Sequence, residues 1–202
     1  MKPIIGVVGR PGVSKEKHKI YSIYDDIYKS VYNSGGIPIC ITPTKNIKET
    51  LSICNGIIFQ GGDEFTNYEL EYLKYAYEND IPTLGICLGM QLMSTFLGGK
   101  EYNVENHKVP NKKYVHKIII NENSKLYKII NKKEIYVNSR HKTRVSTPKC
   151  TISATSIDGV IESIEDNTKR FFIGLQWHPE SMISYDENSK KIFEYFINIS
   201  KI

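Results

Sequence analysis

The chain has 202 residues, 40% hydrophobic and 24% charged, with 27 basic against 22 acidic side chains and a formal net charge of +5. This balance excludes a disordered tail, and apolar runs such as Ile118-Ile119-Ile120 or Gly56-Ile57-Ile58-Phe59 fall far short of the about 20 residues that a helical membrane crossing needs. The length predicts one domain, residues 1–202, large enough to bury a core of its own.

Met1-Lys2-Pro3-Ile4-Ile5-Gly6-Val7-Val8-Gly9 reads as a buried strand entering a glycine turn, not as a charged and apolar leader, so a cytoplasmic location is expected. Ile4–Val8 is the first strand. Apolar and aromatic residues at 20, 23, 24, 27, 28 and 31 predict an amphipathic helix over Ile20–Asn33, stopped by Gly35-Gly36. Strand Ile37–Ile41, a short helix Ile47–Ser52 and the buried strand Gly56–Phe59 follow. A helix over Tyr68–Asn79, a strand Ile81–Ile86 and a helix Leu88–Leu97 complete the first half. Strands alternating with helices predict an α/β fold with a central, mostly parallel sheet flanked by helices.

After Lys100 the pattern changes to short β-like runs at Tyr114–Asn121, Glu134–Val137, Thr151–Ile157, Val160–Ile164 and Arg170–Trp177, with Ser156-Ile157-Asp158-Gly159 as a hairpin turn. They predict a smaller β-rich part belonging to the same domain, closed by a helix over Ser189–Ile199. Lysines between 108 and 133 alternate with Ile and Tyr as on a solvated sheet face. Basic residues interleaved with aromatics in the manner of a nucleic-acid reader are missing, so neither nucleic acid nor membrane is expected as a partner. Cys40, Cys54, Cys87 and Cys150 form no C-x-x-C pair; three of them are expected to be ordinary buried thiols.

The fourth is different. In Gly85-Ile86-Cys87-Leu88-Gly89 a cysteine stands where a buried strand must turn sharply into a helix, with glycines two residues to either side. This is the spacing of a nucleophile elbow: the turn is tight, and side chains at the flanking positions would hold the helix off the strand. The sulfur would sit at a helix N-terminus, where the dipole favours negative charge, and the Leu88 amide would face an oxyanion. The alternative is a small buried thiol. In Gln176-Trp177-His178-Pro179-Glu180, a histidine and a carboxylate two residues apart on an extended chain would share one side, so Glu180 could hold the His178 imidazole for a thiol nucleophile. Gly61-Gly62-Asp63, directly after a buried strand and one βα unit before Cys87, places free backbone amides at the same sheet edge.

In this order, Gly61-Gly62-Asp63, Gly85-Ile86-Cys87-Leu88-Gly89-Met90-Gln91, Val137-Asn138-Ser139-Arg140-His141 and Gln176-Trp177-His178-Pro179-Glu180 resemble the class I glutamine amidotransferase-like family, most closely its γ-glutamyl-γ-aminobutyrate hydrolase (peptidase C26) branch. The resemblance implies a flavodoxin-like fold and a Cys87/His178/Glu180 triad that cleaves a γ-glutamyl amide through a glutamyl thioester. It also implies an oxyanion hole from the Gly62 and Leu88 amides, and substrate contacts from Gly61, Gln91, Asn138, Ser139 and His141. No metal or organic cofactor is implied, and no ligand spacing suggests one. The partner expected is a small γ-glutamyl compound, and a homodimer is left open. Two departures from the branch concern the leaving-group side: the turn after Asp63 runs straight into the next helix, and Lys142-Thr143 replace a second His and a Gln. A glutaminase subunit feeding ammonia to a separate synthetase and a non-catalytic binding or regulatory protein are the competing readings.

Overall fold

The computed structural model describes residues 1–146 and 148–201. Nine strands form one sheet: β1 (Ile4–Val8), β4 (Ile37–Ile41), β5 (Gly56–Phe59), β6 (Thr83–Ile86), β8 (His116–Ile120), β9 (Glu134–Val137), β11 (Thr151–Ser156), β12 (Ile161–Glu165) and β13 (Phe172–Leu175). Their order is β4-β1-β5-β6-β13-β12-β11-β8-β9. The first five are parallel, and the rest continue the sheet antiparallel. The β-rich second half is therefore an extension of the same sheet. Outside it, β7 (Glu101–Asn103) pairs with β10 (Thr143–Val145), and β2 (Arg10–Val13) with β3 (Lys19–Ser22).

The period-2 alternation of the buried strands divides the core in two. Ile5, Val7, Ile58, Leu84, Ile86, Ile173 and Leu175 face one side, under α1 (Asp25–Asn33), α5 (Lys125–Ile130) and α6 (Glu187–Ile199). Val8, Ile57, Phe59 and Phe172 face the other, under α2 (Ile47–Ser52), α3 (Asn67–Glu78) and α4 (Leu88–Phe96). On this second side the neighbouring strands β6 and β13 place Gly85 opposite Gly174. A Cβ on Gly85 would lie 2.3 Å from the Met93 sulfur, and one on Gly174 2.8 Å from Met90 Cγ. The paired glycines make a bare patch on which α4 lies against the sheet.

The helix expected over Ile20–Asn33 is shorter than its periodicity. Residues 19–22 are strand β3, Ile20 pairs with Gly12, and α1 starts at Asp25. Buried Gln60 explains the boundary: its amide accepts from the Tyr24 N–H at 3.0 Å and donates to the Val8 and Ser22 carbonyls, holding residues 22–24 extended. Helix α5 is an addition to the elements expected from the sequence. It is only six residues long; Ser124 caps it locally, accepting from the Tyr127 N–H at 2.9 Å, and buried Glu165 adds long-range hydrogen bonds from its Lys125 and Leu126 amides. Among the thiols, Cys54 is buried, Cys150 half-buried and Cys40 exposed on edge strand β4. Burial raises all three, Cys54 to about 11 and Cys150 to about 12, so they stay protonated. No helix among the described residues is long and apolar enough to cross a membrane.

Candidate active site

Strands β5, β6 and β13 end at one edge of the parallel sheet, and each delivers one part of the site. After β6, Cys87 adopts φ 52° and ψ −102° and precedes the first residue of α4, Leu88. This left-handed conformation is costly for a residue with a side chain and persists only because both neighbours are locked. The Cys87 N–H donates to the Leu175 carbonyl at 2.7 Å, and Gly89 lies so close to β5 that a Cβ there would come within 2.1 Å of the Phe59 carbonyl oxygen.

After β13, His178 enters a single 3-10 turn, Pro179–Ser181. The His178–Glu180 contact forms, Nδ1 to Oε1 at 2.7 Å, but not through extended chain. The turn started by Pro179 folds Glu180 back beneath the imidazole. Asn138 holds the segment in place: its side-chain oxygen accepts from the His178 N–H at 2.8 Å, and its amide donates to the His178 carbonyl at 2.8 Å and to Ser181 Oγ at 3.1 Å. After β5, Gly61 packs against the pair, since a Cβ there would lie 3.0 Å from His178 Cε1 and 3.7 Å from Cys87 Cβ. Gly62 lies under the Arg10 guanidinium, which pairs with buried Glu69 at 2.7 Å and also bonds the Glu64 carbonyl. This clamp fixes the short turn that leads from Asp63 into α3.

A cavity of about 300 Å³ opens between these loops. Cys87, His178, Glu180, Gly61 and Gly62 line it together with Tyr24, Asp26, Asp63 and Arg140. Four residues expected to touch substrate lie elsewhere. Gln91 is buried beneath the nucleophile, its amide 3.4 Å from Gln176 Oε1, while the Gln176 amide approaches the Cys87 sulfur at 3.7 Å. Asn138 holds His178. The Ser139 hydroxyl bonds the His107 carbonyl, and the His141 ring points away into a cluster with His107. Along this stretch the side chain that reaches the cavity is Arg140. Arg140, Tyr24 and Asp26 escaped the sequence reading; the only signal for Arg140 was its place within the Asn-Ser-x-His segment.

Burial works against a charge on His178, but the Glu180 carboxylate and the Cys87 sulfur outweigh it and raise the imidazole to about 10. At neutral pH the proton therefore rests on His178. Since an unfolded histidine titrates near 6.5, this pairing stabilises the fold fully below about pH 6.5, and the contribution is lost as pH rises toward 10. Glu180→Gln removes the strongest influence favouring the proton. We expect the alkaline limb of the kcat/KM profile to move down by about 1–3 pH units in this variant. An unmoved limb would show that Glu180 does not set the protonation of the base.

A cysteine on a strained strand-to-helix elbow, a histidine held by a carboxylate, and amides at the head of α4 define a cysteine-dependent amide hydrolase of the class I glutamine amidotransferase type. Residues 64–180 match the Peptidase C26 family model. The chain belongs to this family, and it is 30% identical to the glutamine amidotransferase-like protein RP404 of Rickettsia prowazekii over 89% of this chain and 91% of that one. Two solved structures share the fold. One is a GMP synthase component from Thermoplasma acidophilum (TM-score 0.74, 21% identity, covering 100% of this chain and 95% of that chain). The other is the glutaminase domain of Trypanosoma brucei CTPS, solved with bound acivicin (TM-score 0.71, 19% identity, covering 98% and 94%).

Proposed function

We propose that the protein hydrolyses the γ-glutamyl amide of a small amine through a glutamyl thioester on Cys87, releasing glutamate. The observation that carries this reading is the charge pattern of the cavity. Arg140, Asp26 and Asp63 line the same cavity as Cys87, and the buried Arg140 Nε has no hydrogen-bond partner among the described residues. The free amino-acid end of a γ-glutamyl group carries one carboxylate and one ammonium, the complement of that set. An adjoining cavity of about 230 Å³, sharing Tyr24, Gly62 and Asp63 with the first and reaching Arg10, is where the amine would lie.

In this mechanism the Cys87 sulfur attacks the side-chain carbonyl carbon. The Gly62 and Leu88 amides take up the charge on the oxygen; as the first residue of α4, Leu88 has no helical acceptor for its N–H. His178, already protonated, gives its proton to the leaving nitrogen, and the C–N bond breaks to leave the thioester. The neutral imidazole then draws a proton from water, hydroxide adds to the thioester, and glutamate departs as Cys87 is restored. Glu180 keeps the ring in one orientation throughout.

Arg140→Gln tests the binding half of this reading. Losing a charge-assisted hydrogen-bonded pair, about 1.5–3 kcal/mol, corresponds to roughly a 10- to 150-fold fall in kcat/KM. The loss should appear mostly in KM, with the melting temperature unchanged. An unaltered KM toward every γ-glutamyl substrate would remove Arg140 from the site. The likeness to a glutaminase domain favours a second reading, in which the substrate is glutamine and the ammonia passes to a separate synthetase. A panel of γ-glutamyl amides decides between them: turnover of an amine conjugate by the isolated protein supports the hydrolase. Inertness toward all of them, relieved by adding a synthetase, supports the glutaminase.

A further inference from the structure

On the antiparallel side of the sheet the fold gathers three of the five histidines around one carboxylate. Glu162 of β12 is fully buried; His107 and His141, from loops joined by the Lys108–Arg140 bridge, are nearly so; His116 opens β8 half-buried. Glu162 Oε1 lies 3.4 Å from His107 Nδ1, 3.1 Å from His116 Nε2 and 3.5 Å from His141 Nε2, and His107 Nδ1 lies 3.2 Å from His141 Nε2.

The outer contacts of two of these rings assign their protons. His141 Nδ1 is 2.9 Å from the Thr143 carbonyl, which can only accept, so Nδ1 carries the hydrogen. His107 Nε2 is 3.0 Å from Asp158 Oδ2, so its hydrogen is on Nε2. In the neutral rings, the inward atoms His107 Nδ1 and His141 Nε2 therefore present lone pairs to each other and to a carboxylate. Neither Glu162 oxygen nor His116 Nε2 has a hydrogen bond of acceptable geometry. Converging ring lone pairs around a buried carboxyl whose oxygens have no hydrogen-bond partner form a nest of donors suited to a cation.

The spacing identifies which kind. Ligands at zinc-like bond lengths of about 2.0–2.1 Å in a tetrahedron lie about 3.3 Å apart; the Glu162 oxygen lies 3.1 to 3.5 Å from each of the three imidazole nitrogens, and the ligand atoms of His107, His116 and Glu162 all lie within 4.8 Å of one another. The outward N–H of His107 on a carboxylate and that of His141 on a backbone carbonyl are the supports that orient metal-bound imidazoles. We propose that His107 Nδ1, His116 Nε2 and a Glu162 oxygen bind one divalent transition-metal ion, zinc by the chemistry of the donors, with His141 Nε2 drawn in from beside Glu162 and His107 as the fourth ligand. Such an ion would tie the segment that carries Asn138 and Arg140 to the sheet. Its role is to position that segment, and the site stands whether or not the catalytic reading does.

The test uses the full chain as Cys87→Ala, so that Cys87 and His178 cannot capture the probe as a pair. The protein is stripped with a chelator and titrated separately with Zn²⁺ and Co²⁺. The expected result is one equivalent bound, visible absorption bands of four-coordinate Co²⁺, and a melting temperature raised by the metal. Glu162→Gln and His116→Gln should each weaken binding by about 100-fold or more, and Asp158→Asn, which alters the support of His107 and removes no ligand, by about 10–100-fold. His116 is half-buried, so its variant is a folded check if Glu162→Gln does not fold. Failure of the folded Cys87→Ala chain to bind either ion would overturn the proposal and assign the cluster to shared protons. Undiminished binding in the folded ligand variants would overturn it equally.

Discussion

Cys87→Ala is expected to abolish turnover, by at least about 10⁴-fold, while shifting the melting temperature by no more than about 4 °C. The two halves of this result come from different features of one residue. The chemistry needs the sulfur, because Cys87 is the thiol that stands with His178 in the cavity wall. Stability needs the backbone: φ 52° is as strained for alanine as for cysteine, and the Cys87 N–H bond to Leu175 survives the change. What is lost is one small, nearly buried sulfur, worth less than about 1 kcal/mol by its size. Rate measurement on γ-glutamyl amides alongside thermal denaturation checks both. Mass spectrometry of quenched wild-type reactions should find a glutamyl adduct that Cys87→Ala lacks. A variant that melts far lower but still turns over would mark Cys87 as packing, and a wild type that never forms the adduct, with or without an added synthetase, would leave a binding protein on this fold.

The second large effect is purely steric. Gly89→Ala is expected to destabilise the protein by about 2–4 kcal/mol, lowering the melting temperature by about 5–15 °C. The new Cβ would sit 2.1 Å from the Phe59 carbonyl oxygen and 2.8 Å from its carbon, backbone atoms of a central strand that cannot turn aside. To make room α4 must lift from β5, and lifting its first turn also displaces Cys87 and the Leu88 amide. Gly12→Ala is the control. Its Cβ meets Ile20 at 3.5 Å, an ordinary contact on the exposed hairpin, and should change stability by less than about 0.5 kcal/mol. Equal stability of the two variants would mean that the close approach of α4 to β5 is not what holds the elbow.

Much of this was legible from residue order. The elbow is a local device: the glycines, the cysteine and the apolar strand before them lie within one turn of chain, and the physics that requires them acts over the same distance. The His178–Glu180 pairing follows from the sequence for a reason that the structure replaces. An extended segment and a proline-led 3-10 turn both bring residues two apart together, and only the coordinates separate them. The start of α1 differs from its periodicity because Ile20 fits a helical period as well as it fits a hairpin. The choice is made by Gln60, whose side-chain amide bonds Val8, Ser22 and Tyr24 from far along the chain.

The sequence by itself determined the class of fold and singled out Cys87, His178 and Glu180, which the structure brings to one cavity, because each depends on periodicity or on neighbours a few residues away. Only the tertiary structure decided that Arg140, not Ser139 or His141, meets the cavity beside Asp26, and that His141 turns back to join His107, His116 and Glu162. In Asn138-Ser139-Arg140-His141 nothing in the residue types says which side chain faces which way. That is set by the Lys108–Arg140 bridge and by the register of β8 on β9 and on β11, pairings between segments that local patterning cannot reach.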